Sequence, residues 1–139
     1  MTIYLDTSAL LKLAVREDES VMLEAWLRDE AQQGVGWATS TLTEVELPRA
    51  AGRADPESLV NVPVLLSGLT LIEMDAEIRR NAASITPFGL RTLDAIHLAS
   101  ALYLGRALST LVTYDRRLAD AARRAGVKVE APREGDRDE

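Results

Sequence analysis

Apolar residues along this chain alternate between short continuous runs and longer stretches spaced three and four apart, so strands and helices should follow one another. Ile3-Tyr4-Leu5 is a β-prone run that stops at Asp6. Thr7 and Ser8 are both helix-capping residue types, and Ala9 to Val15 reads as the helix they begin. After a break at 17–19, the apolar positions Val21, Leu23, Ala25, Trp26 and Leu27 predict a second helix over Ser20 to Ala31. Gly34 to Ala38 reads as a second strand bounded by glycines. Ser40 is expected to cap a helix through Leu42, Val45, Glu46 and Arg49 that stops at Gly52. Pro56 to Leu66 carries a weaker helical pattern interrupted by Pro63.

Leu69 to Glu73 reads as a third strand, and Asp75 caps a helix to about Ile85. Pro87-Phe88-Gly89 makes a turn. Thr92 is expected to cap the helix Leu93 to Leu104, which is apolar nearly all the way round and so should be buried. Leu111 to Thr113 predicts a fourth strand, followed after Asp115 by a helix to Arg124. Gly126 to Val129 reads as a last, edge-like strand. Alternating strands and helices imply an α/β fold with a mainly parallel sheet covered on both faces. In such folds sites form outside the carboxyl ends of the strands, where Asp6 and Asp115 both fall.

The 139 residues suit one domain over 1–131, with a charged tail over 132–139 expected to be disordered. The absence of cysteine excludes a disulfide framework, a zinc ribbon and a thiol nucleophile, and suits a reducing cytosol. No signal peptide is evident, and no apolar run approaches the roughly 20 residues of a membrane span, so a soluble cytoplasmic protein is expected. A net charge of −6 argues against a generic nucleic-acid coat. Among the cations, however, only Lys12 and Lys128 are lysines, and the arginines that make up the rest bind phosphate and carboxylate bidentately.

Four acids stand at or near predicted strand–helix junctions: Asp6, Glu46, Asp94 and Asp115. Carboxylates gathered without matching positive charge repel one another, and burying them is costly unless a cation lies between. With Thr7 and Ser8 available as caps, Asp6 is not needed for capping and reads as a metal ligand. Asp94 lies near the start of an otherwise apolar helix already capped by Thr92, with no lysine or arginine one turn further on; a metal would supply its partner. Asp115 fits either the N-cap of the helix beginning at Arg116 or a further ligand. Residues 42, 45, 46 and 49 share a helix face, and with Leu42 and Val45 turned inward Glu46 should sit beside the buried stripe while Glu44 faces solvent. His97 is the only histidine, which excludes a two-histidine acid–base mechanism. It reads either as a packed histidine with one satisfied nitrogen or as a residue acting behind the acids or toward substrate. Ser8 and Thr113 read either as capping residues or as donors to the carboxylates.

The segments Tyr4 to Leu10, Glu46 to Ala50, Leu90 to Ala99 and Val112 to Leu118 together resemble the acidic motifs of PIN-domain ribonucleases, and most closely the VapC-type toxins of type II toxin–antitoxin pairs. The resemblance covers residues 2–130. It implies a three-layer α/β/α sandwich, with Asp6 and Asp94 as principal magnesium ligands, Glu46 as the second acidic position and Asp115 as the fourth. Some PIN proteins carry a further aspartate one turn after the third acid; here His97 holds that place. The implied activity is hydrolysis of RNA phosphodiesters by water using Mg2+, or Mn2+ in its stead, leaving a 5′-phosphate and a 3′-hydroxyl. Magnesium suits a few carboxylates plus substrate phosphate, and one or two ions assist in-line displacement. Arg91, Arg116 and Arg117 flank the acids as candidate phosphate contacts, or are plain solvated arginines. The implied partners are a VapB-type antitoxin, whose C-terminal segment covers the acidic groove, and a second copy of the chain, with residues 20–31 and 48–66 as contact surfaces.

Three other readings differ by particular residues. A phosphoacceptor receiver domain needs adjacent acids after its first strand and a lysine after a late one, and neither is present. A phosphatase with an aspartate nucleophile wants a second aspartate where Ser8 stands. A non-cleaving PIN-like module acting through protein binding is the remaining alternative; the presence of all four acids argues against it.

Overall fold

A computed structural model of the chain describes residues 1–135. Five strands, β1 (Thr2–Leu5), β2 (Gly36–Ser40), β3 (Thr70–Ile72), β4 (Leu108–Val112) and β5 (Val129–Glu130), form one parallel sheet in the order β3-β2-β1-β4-β5. Helices α1 (Thr7–Ala14), α2 (Ser20–Ala31), α3 (Thr43–Ala54), α4 (Val62–Ser67), α5 (Ala76–Ser84), α6 (Thr92–Tyr103) and α7 (Arg116–Arg124) connect them. The expected α/β architecture is what the chain adopts.

Period-two alternation divides the core into two layers. Ile3, Leu5 and Val112 pack on Leu10, Leu23, Leu27 and Leu47 from α1 to α3. Tyr4 and Leu111 face the other way, onto Ile78, Leu98 and Leu118 from α5 to α7. Each fully buried leucine or isoleucine contributes about 1.5–3 kcal/mol of transfer free energy. A strand buried on both faces is continuously apolar, as β1 is from Ile3 to Leu5.

Several boundaries depart from expectation. Strand β2 runs two residues later than the glycines suggested, so Ser40 ends a strand, and its Oγ accepts from the Leu42 N–H at 3.0 Å. Helix α3 passes through Gly52 to Ala54, where the Asp55 N–H donates to the Ala51 carbonyl. Strand β4 starts at Leu108, and β5 is confined to Val129–Glu130. Helix α6 is not buried all round: Leu93, Leu102 and Tyr103 are exposed. As an outer-layer helix it has one side to bury, and Ala95, Leu98, Ala99 and Ala101 serve there. At the C-terminal end, the Tyr114 hydroxyl donates to the Pro132 carbonyl at 2.7 Å, and the rest of the expected disordered tail, from residue 136, lies outside the described residues.

The chain winds from β1 through β2 to β3 on one side and then crosses to β4 on the other side of β1. The order therefore reverses between β1 and β4. Ligands of open α/β sheets bind in the crevice beyond such a reversal.

Candidate active site

Asp6 is the first residue past β1, and its N–H extends the ladder to the Val112 carbonyl at 3.2 Å, which seats it beside the end of β4. Its Oδ1 accepts from Ser8 Oγ at 2.7 Å and the Ala9 N–H at 2.9 Å, and its Oδ2 accepts from Thr113 Oγ1 at 2.5 Å. The residue is only 3% exposed. Burial pushes its carboxyl above the ordinary range, against the opposing pull of His97 and of the Thr113, Ser8 and Ala9 donors. The expectation that Asp6 would be spared from capping is wrong. Its backbone is extended (φ −79°, ψ 178°) and it is the N-cap of α1, while Thr7 is already helical. Capping and ligation do not conflict, because the three donors leave one acceptor site of the carboxylate, on Oδ2, unused.

Glu46 enters from α3, but not for the reason the helix face suggested. The buried stripe of α3 is Thr43, Leu47 and Ala51, while Val45 is 61% exposed. Glu46 flanks that stripe, and Glu44 is solvated as expected. Oε1 of Glu46 accepts from Thr7 Oγ1 at 2.6 Å and lies 2.7 Å from His97 Nε2. Burial raises the Glu46 carboxyl, but the hydrogen bonds from His97 and Thr7 outweigh it, and the net displacement is downward.

Both nitrogens of His97 are engaged, rather than one. Nδ1 lies 2.7 Å from the hydroxyl of Tyr4, whose buried phenol is held far above its usual pKa, first by desolvation and then by the Asp6 charge. A phenol that keeps its proton donates it to Nδ1, which leaves the proton of neutral His97 on Nε2, facing Glu46; this tautomer is assigned from the hydrogen-bond network. Tyr4 and Thr7 were missed as site residues. The available signals were a lone hydroxyl within the apolar run Ile3 to Leu5 and a β-branched hydroxyl directly after Asp6.

Asp94 projects from the first turn of α6, whose N-cap position belongs to Arg91 rather than Thr92. Asp115 is the N-cap of α7: its Oδ1 accepts from the N–H groups of Arg117 (2.9 Å) and Leu118 (3.1 Å). Its Oδ2 accepts from Arg91 Nη2 at 2.8 Å. The cap reading of Asp115 is therefore borne out, and its second oxygen is bonded to Arg91. Arg91 Nε stands 3.4 Å from Asp94 Oδ2, and that buried oxygen has no hydrogen-bond partner. Burial raises the Asp94 carboxyl, helped by the charges of Asp115 and Asp6 and opposed by Arg91 and His97. Arg91 is thus turned onto the acids, while Arg116 and Arg117 are exposed on the first turn of α7.

The donor chemistry suits a hard dication: the acids offer oxygens only, and Asp94 Oδ2 is a desolvated acceptor with nothing bonded to it. Asp6 and Asp115 lie close enough to raise the Asp94 carboxyl through space. Among the described residues no three acidic or imidazole groups close round one point as they stand. Glu46 is tied to His97, and Asp115 to Arg91. Asp6 and Asp94 could hold such an ion, whereas both Asp115 oxygens are engaged, by the α7 cap and by Arg91.

The sequence profile of the PIN domain matches residues 3–124. The chain belongs to the PIN domain family. Within it, the chain is 49% identical to ribonuclease VapC35 of Mycobacterium tuberculosis, over 94% of its own length and 96% of the relative's. It is 42% identical to ribonuclease VapC47 of the same species, over 94% and 96%. These relatives make it a VapC-type PIN protein. Its fold matches that of M. tuberculosis VapC20, a Sarcin-Ricin loop cleaving toxin, with TM-score 0.71 at 16% identity over 94% of this chain and 99% of that one. VapBC2 of Rickettsia felis, solved bound to a DNA fragment from its promoter, gives TM-score 0.72 at 16% identity over 94% and 98%. At such identities the structural likeness speaks for the PIN fold.

Proposed function

We propose that this PIN protein is a metal-dependent endoribonuclease, the toxin of a VapBC-type pair. The observation that carries the reading is that Asp6 and Asp115, at the β1–β4 reversal, lie near enough to Asp94 to act on its charge, while the buried Asp94 Oδ2 has no hydrogen-bond donor. Near-half identity to a ribonuclease over almost the whole chain supports the substrate class.

The side chains divide the work. Asp6, immobilised by three donors, and Asp94 would hold the ion, with Asp115 beside them. Glu46 is kept ionised by His97 and Thr7, both on Oε1. Bound there, Mg2+, or Mn2+ in its stead, would acidify a water nucleophile and neutralise charge on the attacked phosphate. The water oxygen bonds to phosphorus, the P–O3′ bond breaks, and the 3′ oxygen takes up a proton. The products are a 5′-phosphate and a 3′-hydroxyl. Arg116 and Arg117, exposed beside Asp115, would meet phosphates of the same RNA.

The partner reading extends from the VapBC complexes that share the fold. A VapB-type antitoxin would cover the acidic groove in the cytoplasm, with a homodimer or toxin–antitoxin hetero-oligomer as the resting assembly. Exposed Val21 on α2, and Leu59, Val60 and Val64 around the start of α4, give it and a second copy apolar footing.

Cleavage of total RNA in Mg2+ or Mn2+ tests the activity. Wild type should cut, and Asp6→Ala and Asp94→Ala should each lose about a hundredfold or more. Equal cleavage by all three would remove the metal site. Failure of all three to cut would favour the non-catalytic binding module.

A further inference from the structure

The cation already standing on two of the acids belongs to the chain itself. Arg91 is the last residue before α6, with an extended backbone and a side chain 66% exposed. Its Nη2 donates to Asp115 Oδ2 at 2.8 Å, and its Nε faces Asp94 Oδ2 at 3.4 Å. One guanidinium thus spans two carboxylates that come from different helices and are far apart in sequence. Neither grip is strong: the Asp94 contact is too long for a good hydrogen bond, Asp94 Oδ2 has no bonded partner, and solvent screens the rest.

We propose that Arg91 is a displaceable internal counter-cation, which neutralises Asp94 and Asp115 in the metal-free protein and leaves both carboxylates when a divalent cation binds them. The proposal rests on the metal reading above and adds the identity of the group the ion must displace. The ion and the guanidinium claim the same two oxygens, Asp94 Oδ2 and Asp115 Oδ2. A hard dication is the better partner for carboxylate oxygens. Two neighbouring carboxylates left with no cation would repel each other, so an exposed and weakly held arginine neutralises them without sealing the site. Once released, the guanidinium is left at the rim of the site, where its fork can take a phosphate oxygen.

The test follows the Arg91 Nε–Hε resonance in the 15N-labelled full-length chain during titration with Mg2+, alongside calorimetry of Mg2+ binding. The Arg91→Gln variant assigns the signal by its loss. The resonance should move from an ion-paired to a free-arginine position at the midpoint that calorimetry gives. Arg91→Gln should bind Mg2+ about twofold to fivefold more tightly, the scale set by an exposed ion pair. If Mg2+ binds while the Arg91 resonance stays in place, or Arg91→Gln binds no more tightly, the counter-cation role is overturned and the metal site stands. If neither protein binds Mg2+, both readings fall.

Discussion

Replacing Asp94 by asparagine should make the metal-free protein more stable while removing its response to magnesium. The side chain keeps its shape, so the change is one of charge. In the wild type, Asp94 Oδ2 is buried with no hydrogen-bond partner, a state that costs about 1–3 kcal/mol. Burial, Asp115 and Asp6 all disfavour the ionised form, and the variant relieves all three. It forfeits the attraction to Arg91 and His97, so a net gain of about 1 kcal/mol is expected, which for a chain of this size is about 3–4 °C in Tm. The sign with pH follows from the raised carboxyl. A group that binds its proton more tightly when folded favours the fold below its ordinary pKa, and that contribution is lost as pH rises through the folded value. The advantage of Asp94→Asn should therefore be full at neutral pH and shrink as the solution is acidified and the wild-type carboxyl takes up its proton. Calorimetric melts in EDTA at neutral and at acidic pH measure this. Adding Mg2+ at about a hundredfold excess over Kd should stabilise the wild type by about 2.7 kcal/mol and leave the variant almost unmoved. A variant that melts lower than wild type in EDTA at neutral pH, or gains equally from magnesium, would refute the reasoning.

Three further substitutions probe the surroundings. Tyr4→Phe removes the buried donor to His97 Nδ1 and should cost about 1–2 kcal/mol, with the His97 ring nitrogen shifts reporting loss of the single Nε2–H tautomer; unchanged shifts would contradict the assigned network. Leu47→Ala should destabilise by about 2–5 kcal/mol, and Val45→Ala by no more than about 0.5 kcal/mol in denaturant melts; comparable losses would mean that α3 turns a different face inward.

The legible part of this protein was local. Period-two runs, helix spacing and cap residues each depend on neighbours a few positions away, which is why β1, α2 and α5 lie about where the pattern placed them. Asp6 and Asp115 stood out because the carboxyl ends of parallel strands open onto the crevice where ligands bind. Boundaries were harder. Glycine marked the start of β2 and the end of α3 by propensity alone, and pairing with β1 in one case and helix packing in the other moved both ends.

What the sequence determined by itself was the order of elements, the parallel α/β class and the acids that could share a site, because all of these follow from residue type and spacing. Tertiary structure alone decided which charges meet. Arg91 reaches Asp115 across 24 residues, His97 reaches Glu46 across 51, and Thr113 reaches Asp6 across 107. The inward face of α3 was likewise settled by what packs on it, since Leu42 and Val45 are as apolar as Leu47 and only the neighbouring helices distinguish them. Electrostatic partnership depends on distance in space, and one-dimensional spacing carries that only within a helical turn or two.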